Sequence, residues 1–109
     1  MAQDFRNSLV EVTTSAPALL TAGNYDLVIG IMLCNKDTDD NVVDVYVDNG
    51  GTSYFIAKSL SLPAGSSVQL LTGGAKLVLV NGDVLRADIT TGANNDTHAI
   101  VSYIDGASE

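Results

Sequence analysis

The chain has 109 residues, the length of one domain, and 46% of them are hydrophobic whereas only 17% are charged. Its 13 acidic and 5 basic residues give a formal net charge of −8, which repels phosphate backbones and anionic membrane surfaces. We therefore expect neither nucleic acid nor a membrane among its partners. The single cysteine, Cys34, excludes an intramolecular disulfide.

Alternation of apolar and polar residues with a period of two dominates the chain, which is typical of β-strands. Of the 13 acidic residues 11 are Asp, and the chain also has 10 Gly and 9 Thr, a composition of strands and turns. The pattern predicts eight strands, over residues 9–14, 25–35, 42–48, 52–57, 67–71, 76–80, 83–90 and 97–104. We therefore expect an all-β chain with little or no helix, folded as an antiparallel β-sandwich of the jelly-roll or immunoglobulin-like type.

Turn sequences separate these strands. The Asn-Gly pair at 49–50 suits the positive φ angles of a type I′ hairpin turn, and a second Asn-Gly pair stands at 81–82. Residues 62–65 place Pro and Gly where a type I turn favours them. Residues 15–22 contain Pro17, so we expect a turn or an edge strand there rather than a helix.

The predicted strands define one domain. We expect an N-terminal arm over residues 1–8, a single sandwich over residues 9–105 and a flexible tail over residues 106–109. The first eight residues lack the apolar segment of a secretory signal, and the longest apolar run falls far short of the ~20 residues of a membrane span. Synthesis in a cytoplasm is the resulting expectation.

Two predicted strands are apolar on both faces, at residues 27–34 and 77–80. A two-layer sandwich of this size has one core and two outer faces, so the second apolar face needs another cover. We expect that cover to be another copy of the chain or a partner protein. The sequence therefore predicts a protein that assembles.

Candidate contact residues lie in two acidic segments and in the arm. Asp37, Asp39 and Asn41 have the spacing that begins a calcium loop, but the Gly and Glu that an EF-hand requires further on are missing. We therefore expect these residues either to form a solvated acidic hairpin or to bind a cation weakly at a subunit contact. The hairpin that follows places Tyr46 on the carboxylate side of its strand, which favours a contact role. The predicted interface residues are Asp44, Tyr46, Asp48, Tyr54, Asp37, Asp39, Asn41 and Phe5.

Catalytic chemistry has no comparable support. His98 is the one histidine, and no Gly-x-Ser-x-Gly motif accompanies it, so we expect a polar residue at the start of a strand. Cys34 lies in an apolar run and is expected to pack as a small buried hydrophobic residue. Asp44, Asp48, Asp83 and Asp88 are expected to be outward acidic positions, because the chain has no Trp to form a sugar platform. We expect a non-enzymatic protein with no catalytic residue, cofactor or metal.

The segment from Leu33 to Tyr103 carries a family resemblance. Its motifs are the Cys34-Asn35 loop, the Gly50-Gly51-Thr52 hairpin with Tyr54, the Pro63-Ala64-Gly65-Ser66 turn, the Lys76-Leu77-Val78-Leu79 strand, the Asn81-Gly82-Asp83-Val84-Leu85 turn and the closing Ser102-Tyr103 strand. About two thirds of the chain thereby resembles small virion structural proteins of tailed bacteriophages, especially short-tailed marine and cyanobacterial phages.

The resemblance implies a protein of the virion, made in the host cytoplasm, that decorates or cements the capsid. Its implied partners are the major capsid protein or other virion proteins, together with further copies of itself, with a trimer favoured. The alternative that the sequence leaves open is a tail, fibre or adaptor component, or a β-sandwich module that binds a host glycan.

Overall fold

The computed structural model describes residues 4–23, 25–71, 76–92 and 96–105, and within these ranges the chain forms strands and no helix. It thus contains, over the same ranges, no apolar helix of membrane-spanning length. The strands are β1 (Asp4–Val12), β2 (Ala18–Thr21), β3 (Tyr25–Asn35), β4 (Asn41–Asn49), β5 (Thr52–Leu62), β6 (Ser67–Gln69), β7 (Leu77–Val80), β8 (Asp83–Thr91) and β9 (Thr97–Asp105).

The strands form two antiparallel sheets packed face to face. Sheet A has the order β1-β9-β3-β6, with β7 also paired to β3, and sheet B has the order β2-β8-β4-β5. The pairs are nested along the chain, with β4 and β5 innermost, then β3 with β6, β2 with β8, and β1 with β9 outermost. This is one long hairpin rolled into two layers, the jelly-roll arrangement, and the predicted all-β sandwich is confirmed.

The core lies between the two sheets and is made of aliphatic side chains. A β-bulge between Val28 and Gly30 shifts the register of β3 against β9. Because of this extra residue, Val28 and Ile31, three positions apart, both face the core and are fully buried. Their neighbours in the core include Leu33, Leu79 and Val101 of sheet A and Val43, Val45, Leu85 and Ala87 of sheet B.

Strand boundaries differ most from the prediction at the start of the chain and at the end of β5, which continues to Leu62 although the pattern predicted its end at residue 57. β1 begins at Asp4 rather than at Leu9, and its residues 4–8 pair with β9 where an arm was expected. The rest of the expected arm (1–3) and the expected tail (106–109) lie outside the described residues. A ninth strand, β2, occupies part of the Pro17 segment, and its Leu19 and Leu20 are buried.

Two turns are displaced by one residue from the predicted positions. The β4–β5 hairpin turns at Gly50 and Gly51, both with positive φ (60° and 92°), as a type I′ turn requires. After β5 the turn closes with the Ser66 N–H donating to the Pro63 carbonyl (3.0 Å), and Gly65 takes the positive φ of 73°. Glycine tolerates this region because it has no Cβ, which explains why the turns centre on glycine.

Candidate functional site

The outer face of sheet A carries an apolar row that crosses three strands. Leu9 of β1, Ile100 of β9 and Met32 of β3 are consecutive register partners, so their side chains stand side by side. All three are exposed, and Leu9 is the most exposed of them at 68%. Aligned large hydrophobic residues in solvent are unusual on a monomer, because burying them is favourable by roughly 25 cal/mol per Å².

A second apolar row lies nearer one end of the same face. Phe5, Ile104, Leu27 and Val78 are register partners across β1, β9, β3 and β7. Phe5 is 78% exposed and Val78 60% exposed, while the two residues between them are partly covered. We call the large apolar side chains of both rows, with Ile29 at the bulge of β3, the apolar face of sheet A.

A polar row separates the two apolar rows. It consists of Asn7, Ser102 and Gly30, again register partners across β1, β9 and β3. Gln69 of β6 fills the space beside the glycine, and its Oε1 accepts a hydrogen bond from the Ile31 N–H (2.7 Å). The face is therefore apolar in two bands with small or amide side chains between them.

Beyond the first apolar row lies the row that holds the one histidine and the one cysteine. His98 has Glu11 and Cys34 as register partners on either side, and its Nε2 lies 3.5 Å from Glu11 Oε2. Cys34 is thus half-buried on the outer face, and the expectation of a core position was wrong. Leu9, Ile100 and the Glu11–His98 pair border a shallow pocket of about 250 Å³.

Asp44, on sheet B, is bonded within the chain. It is 5% exposed, and its carboxylate accepts hydrogen bonds from the Ser59 N–H (2.7 Å) and from Lys58 Nζ (3.2 Å). These bonds hold an irregular stretch of β5, where the φ of Ser59 is 55° and the register against β4 shifts. Asp44 is therefore buried and bonded within the chain, where the sequence predicted an exposed contact residue.

Tyr46 and Asp48 lie with Asp44 on the outer face of sheet B. The Tyr46 ring packs against Phe55 with centroids 5.3 Å apart, and Lys58 Nζ lies 4.7 Å from the Phe55 centroid. Asp48 accepts from the Gly51 N–H (3.1 Å) and pairs with Arg86 Nε (3.2 Å), which fixes the hairpin turn. Both predicted contact residues are therefore half-buried and engaged within the chain.

Tyr54 is separated from these two residues. It is the register partner of Val47, so it projects from the opposite face of sheet B to Tyr46, and it is 60% exposed. The hairpin residues therefore do not form a single contact surface. Phe5 lies further away still, since it belongs to the apolar face of sheet A.

The acidic loop between β3 and β4 is organised by asparagine amides. Asn35 Nδ2 donates to the Asp39 carbonyl (2.9 Å), and the Asp37 N–H donates to Asn35 Oδ1 (2.9 Å). Asn41 is fully buried, and its Nδ2 donates to Asn35 Oδ1 (3.1 Å) and to Thr97 Oγ1 (3.0 Å). Its assignment as a surface residue was wrong; Asp39 is exposed and Asp37 half-buried.

No set of three or more His, Cys, Asp or Glu side chains arranged to hold a metal ion occurs among residues 4–23, 25–71, 76–92 and 96–105.

The outward position expected for Asp83 was wrong. Asp83 is buried at the start of β8, and its carboxylate accepts a hydrogen bond from the Val80 N–H (3.0 Å). Asp44 and Asp88 are register partners on β4 and β8.

The apolar face brings together residues that the sequence placed in separate strands. Residues 27–34 and 77–80 carried a signal, because both their faces are apolar. The sequence gives no such signal for Leu9 and Ile100, since a single large apolar residue in an alternating strand normally points into the core.

Comparison with protein-family models gives no match for the chain, and neither does comparison with curated proteins.

Proposed function

We propose that the chain is a non-enzymatic structural protein of a bacteriophage virion, most simply a capsid decoration or cement protein. It acts by docking, with the apolar face of sheet A against the major capsid protein, another virion protein or a further copy of itself. The observation that carries the proposal is the alignment of Leu9, Ile100 and Met32 in one exposed row across three strands.

The extent of this face suits a protein interface. The exposed parts of its apolar side chains amount to on the order of 600 Å², about three quarters of the ~800 Å² that each partner contributes to a standard interface. Contacts of this size are individually weak to moderate. Many copies on one shell add such contacts, and each copy stabilises the assembled state to which it binds.

The distribution of charge supports the same orientation. The outer face of sheet B is the more charged of the two: it carries Asp44, Asp48 and Asp88, the first two paired with Lys58 and Arg86, whereas the rows of sheet A carry one ion pair, Glu11 with His98. The charged face would then point to solvent and the apolar face to the partner. The net charge of −8 on each chain keeps a decorated particle soluble and repels loose nucleic acid.

Fold analogy adds modest support. Jelly-roll sandwiches are frequent among viral capsid and lectin domains, but one fold hosts many unrelated functions. The family resemblance seen in the sequence motifs points to the same class. Both are analogies, so the proposal depends on the apolar face and is tested there.

The test uses virions of the phage that encodes the chain, stripped of it by mild chaotrope and then reloaded. Wild-type protein should rebind and raise the temperature of DNA release by several degrees. The double variant Met32→Lys and Ile100→Lys should not rebind, because two ammonium groups would be buried against an apolar partner. The matched control, Thr52→Lys with Thr90→Lys, adds the same charge at exposed positions of sheet B and should rebind like wild type.

Two results would reject the proposal. One is absence of the chain from purified virions. The other is equal resistance of stripped and reloaded particles to heat and osmotic shock. Rebinding by the sheet A variant as strong as wild type would reject the assigned face.

A second candidate is a module that binds host glycans on a tail or fibre. Tyr54 favours it, because an exposed tyrosine ring at the end of a hairpin can stack on a sugar. Binding on a glycan array that disappears in Tyr54→Ala and persists in Met32→Lys would support this function over decoration.

A further inference from the structure

β1 is the one long, regular edge among the edge strands that the structure describes. Within the described ranges it pairs only with β9, through an unbroken register from Asp4 to Val12. An edge strand presents unpaired backbone N–H and C=O groups to solvent and is a template for another strand. Nine residues at about 3.4 Å each give this template a length of about 30 Å.

The other edge strands have features that hinder pairing with a further strand. β6 and β7 have three and four residues, and β2 has four residues with a register shift. β5 is long, but two register shifts interrupt it, Ser59 has a positive φ of 55°, and Lys58 stands beside it. Short length, bulges and lysine are the means by which sheet edges avoid pairing. β1 has none of them in its described length.

The side chains of β1 favour a particular partner. Its odd-numbered residues lie on the outer face, with Phe5 and Leu9 four positions apart and both highly exposed. Consider a second copy whose β1 runs antiparallel to the first and is centred on Asn7. Phe5 of each copy then lies opposite Leu9 of the other. Cross-strand pairs of this kind each contribute roughly 0.2–1 kcal/mol.

This register also satisfies the alternation of the strands. Odd residues face odd residues, so outer-face side chains stay on the outer face and outward backbone groups meet outward groups. Asn7 lies opposite Asn7 of the second copy, on the two-fold axis. Glu11 falls near the end of the pairing, and Arg6 is already paired with Asp105 (3.2 Å), so no like charges meet at the centre.

We infer that β1 is the joint between two copies of the chain, paired antiparallel about Asn7, so that the two A sheets form one continuous sheet. The inference goes beyond the proposed virion role and does not depend on it. The joint also continues the rows of the apolar face across the two-fold axis, which doubles the surface offered to a third partner. A two-fold joint produces dimers, where the sequence resemblance favoured a trimer.

Disulfide trapping tests the joint directly. In a Cys34→Ser background, Asn7→Cys places two cysteines opposite each other, with Cα atoms about 4.5–5.5 Å apart, within disulfide range. Glu11→Cys is the matched control on the same face of the same strand. In the proposed register its two copies lie about 27 Å apart, since eight residues separate them along the strands. Under mild oxidation Asn7→Cys should yield at least about tenfold more cross-linked dimer.

Light scattering provides the second measurement. Wild type at tens of micromolar should have twice the 11.3 kDa mass of the chain, and Leu9→Lys should be a folded monomer by circular dichroism. Met32→Lys, off the joint, should remain a dimer. Because each chain carries a net charge of −8, added salt should strengthen the dimer by screening repulsion.

Three results overturn the joint. They are equal cross-linking of the two cysteine variants, a monomeric wild type, and a trimer. None of these affects the proposed virion role, which reloading of stripped particles tests separately. Conversely, a cross-linked dimer that does not bind virions leaves the joint in place and rejects the role.

Discussion

Asp44 and Asp88 stand directly opposite each other on neighbouring strands of sheet B. Asp44 is buried and has donors in Ser59 and Lys58, whereas one buried carboxylate oxygen of Asp88 has no hydrogen-bond partner among the described residues. Burial, and after it the charge of Asp44, raises the pKa of Asp88, while Lys58 acts in the opposite direction. The ionised Asp88 carboxylate therefore opposes folding at neutral pH.

Replacing Asp88 with Asn should stabilise the protein at pH 7. The folded state holds the Asp88 proton more tightly than the unfolded state, so the stability linked to that proton is present below pH 3.8 and is lost as the pH rises through the folded pKa. Asp88→Asn removes the charge, and we expect a rise in Tm of about 2–5 °C at pH 7 that vanishes near about pH 3.5. Thermal unfolding followed by circular dichroism across this range measures it.

The control for this prediction is Asp39→Asn, which makes the same change in net charge at an exposed position. It should alter Tm by less than about 1 °C at both pH values. Equal stabilisation by the two variants would mean that the net charge of the chain, and not the Asp44–Asp88 pair, causes the effect.

Asn35 should be far more important for stability than a typical asparagine. Its Nδ2 donates to the carbonyls of Asp39 and Leu62 (2.9 Å each), and its Oδ1 accepts from the Asp37 N–H (2.9 Å). Asn35→Ala leaves these groups without partners, so we expect a loss of about 2–4 kcal/mol in the free energy of unfolding by urea. Asn81→Ala, at an exposed position away from β1, should cost less than about 0.5 kcal/mol. Similar losses for both would contradict this role.

Gly92 is required by its backbone and by its surroundings. Its φ is 135°, and a Cβ at this position would collide with the side-chain amide of the buried Asn41 and lie 3.2 Å from Ile89 Cγ2. Gly92→Ala should therefore destabilise the protein by about 1–3 kcal/mol. Gly23→Ala is the matched control, because an added Cβ there meets nothing within 4 Å. A difference of less than about 0.5 kcal/mol between the two would contradict the assignment.

Ala16 has a conformation that favours glycine. Its φ is 53°, and its carbonyl accepts a hydrogen bond from Arg86 Nη1 (2.9 Å), which holds the segment before β2 in place. Ala16→Gly removes the steric cost of the left-handed region, so we expect a gain of about 0.5–1 kcal/mol in the free energy of unfolding. Ala18→Gly, in β2, should lose a similar amount. Destabilisation by both variants would show that the strain at Ala16 is negligible.

The positions of the strands can be predicted from the sequence better than the pairing between them. β3 matches the prediction at both ends because it combines a long apolar run with a polar loop after Asn35. The first half of β1 was missed, since Phe5 to Ser8 shows no clear alternation and becomes a strand by pairing with β9. Strand pairing joins residues as distant as Leu9 and Ile100, and a single sequence does not contain that register.

The candidate site was likewise predicted in part: its apolar residues gave a signal in the sequence, and its buried polar residues did not. The sequence indicated that β3 and β7 have a surplus apolar face, and the exposure of Met32 and Val78 agrees with it. It did not indicate which polar residues the fold would use internally. Asp44 and Asn41 look like surface residues in an alternating strand, yet hydrogen bonds to an irregular strand and to a loop bury both.

The proposed decoration role is tested most sharply by imaging a virion whose genome encodes this chain and locating the chain in its density. We expect repeated copies of the jelly roll on the shell, with Leu9, Met32 and Ile100 covered by a neighbouring chain and the Asp44–Asp88 side turned to solvent. Copies whose sheet A face is open to solvent, or particles without the chain, would contradict it.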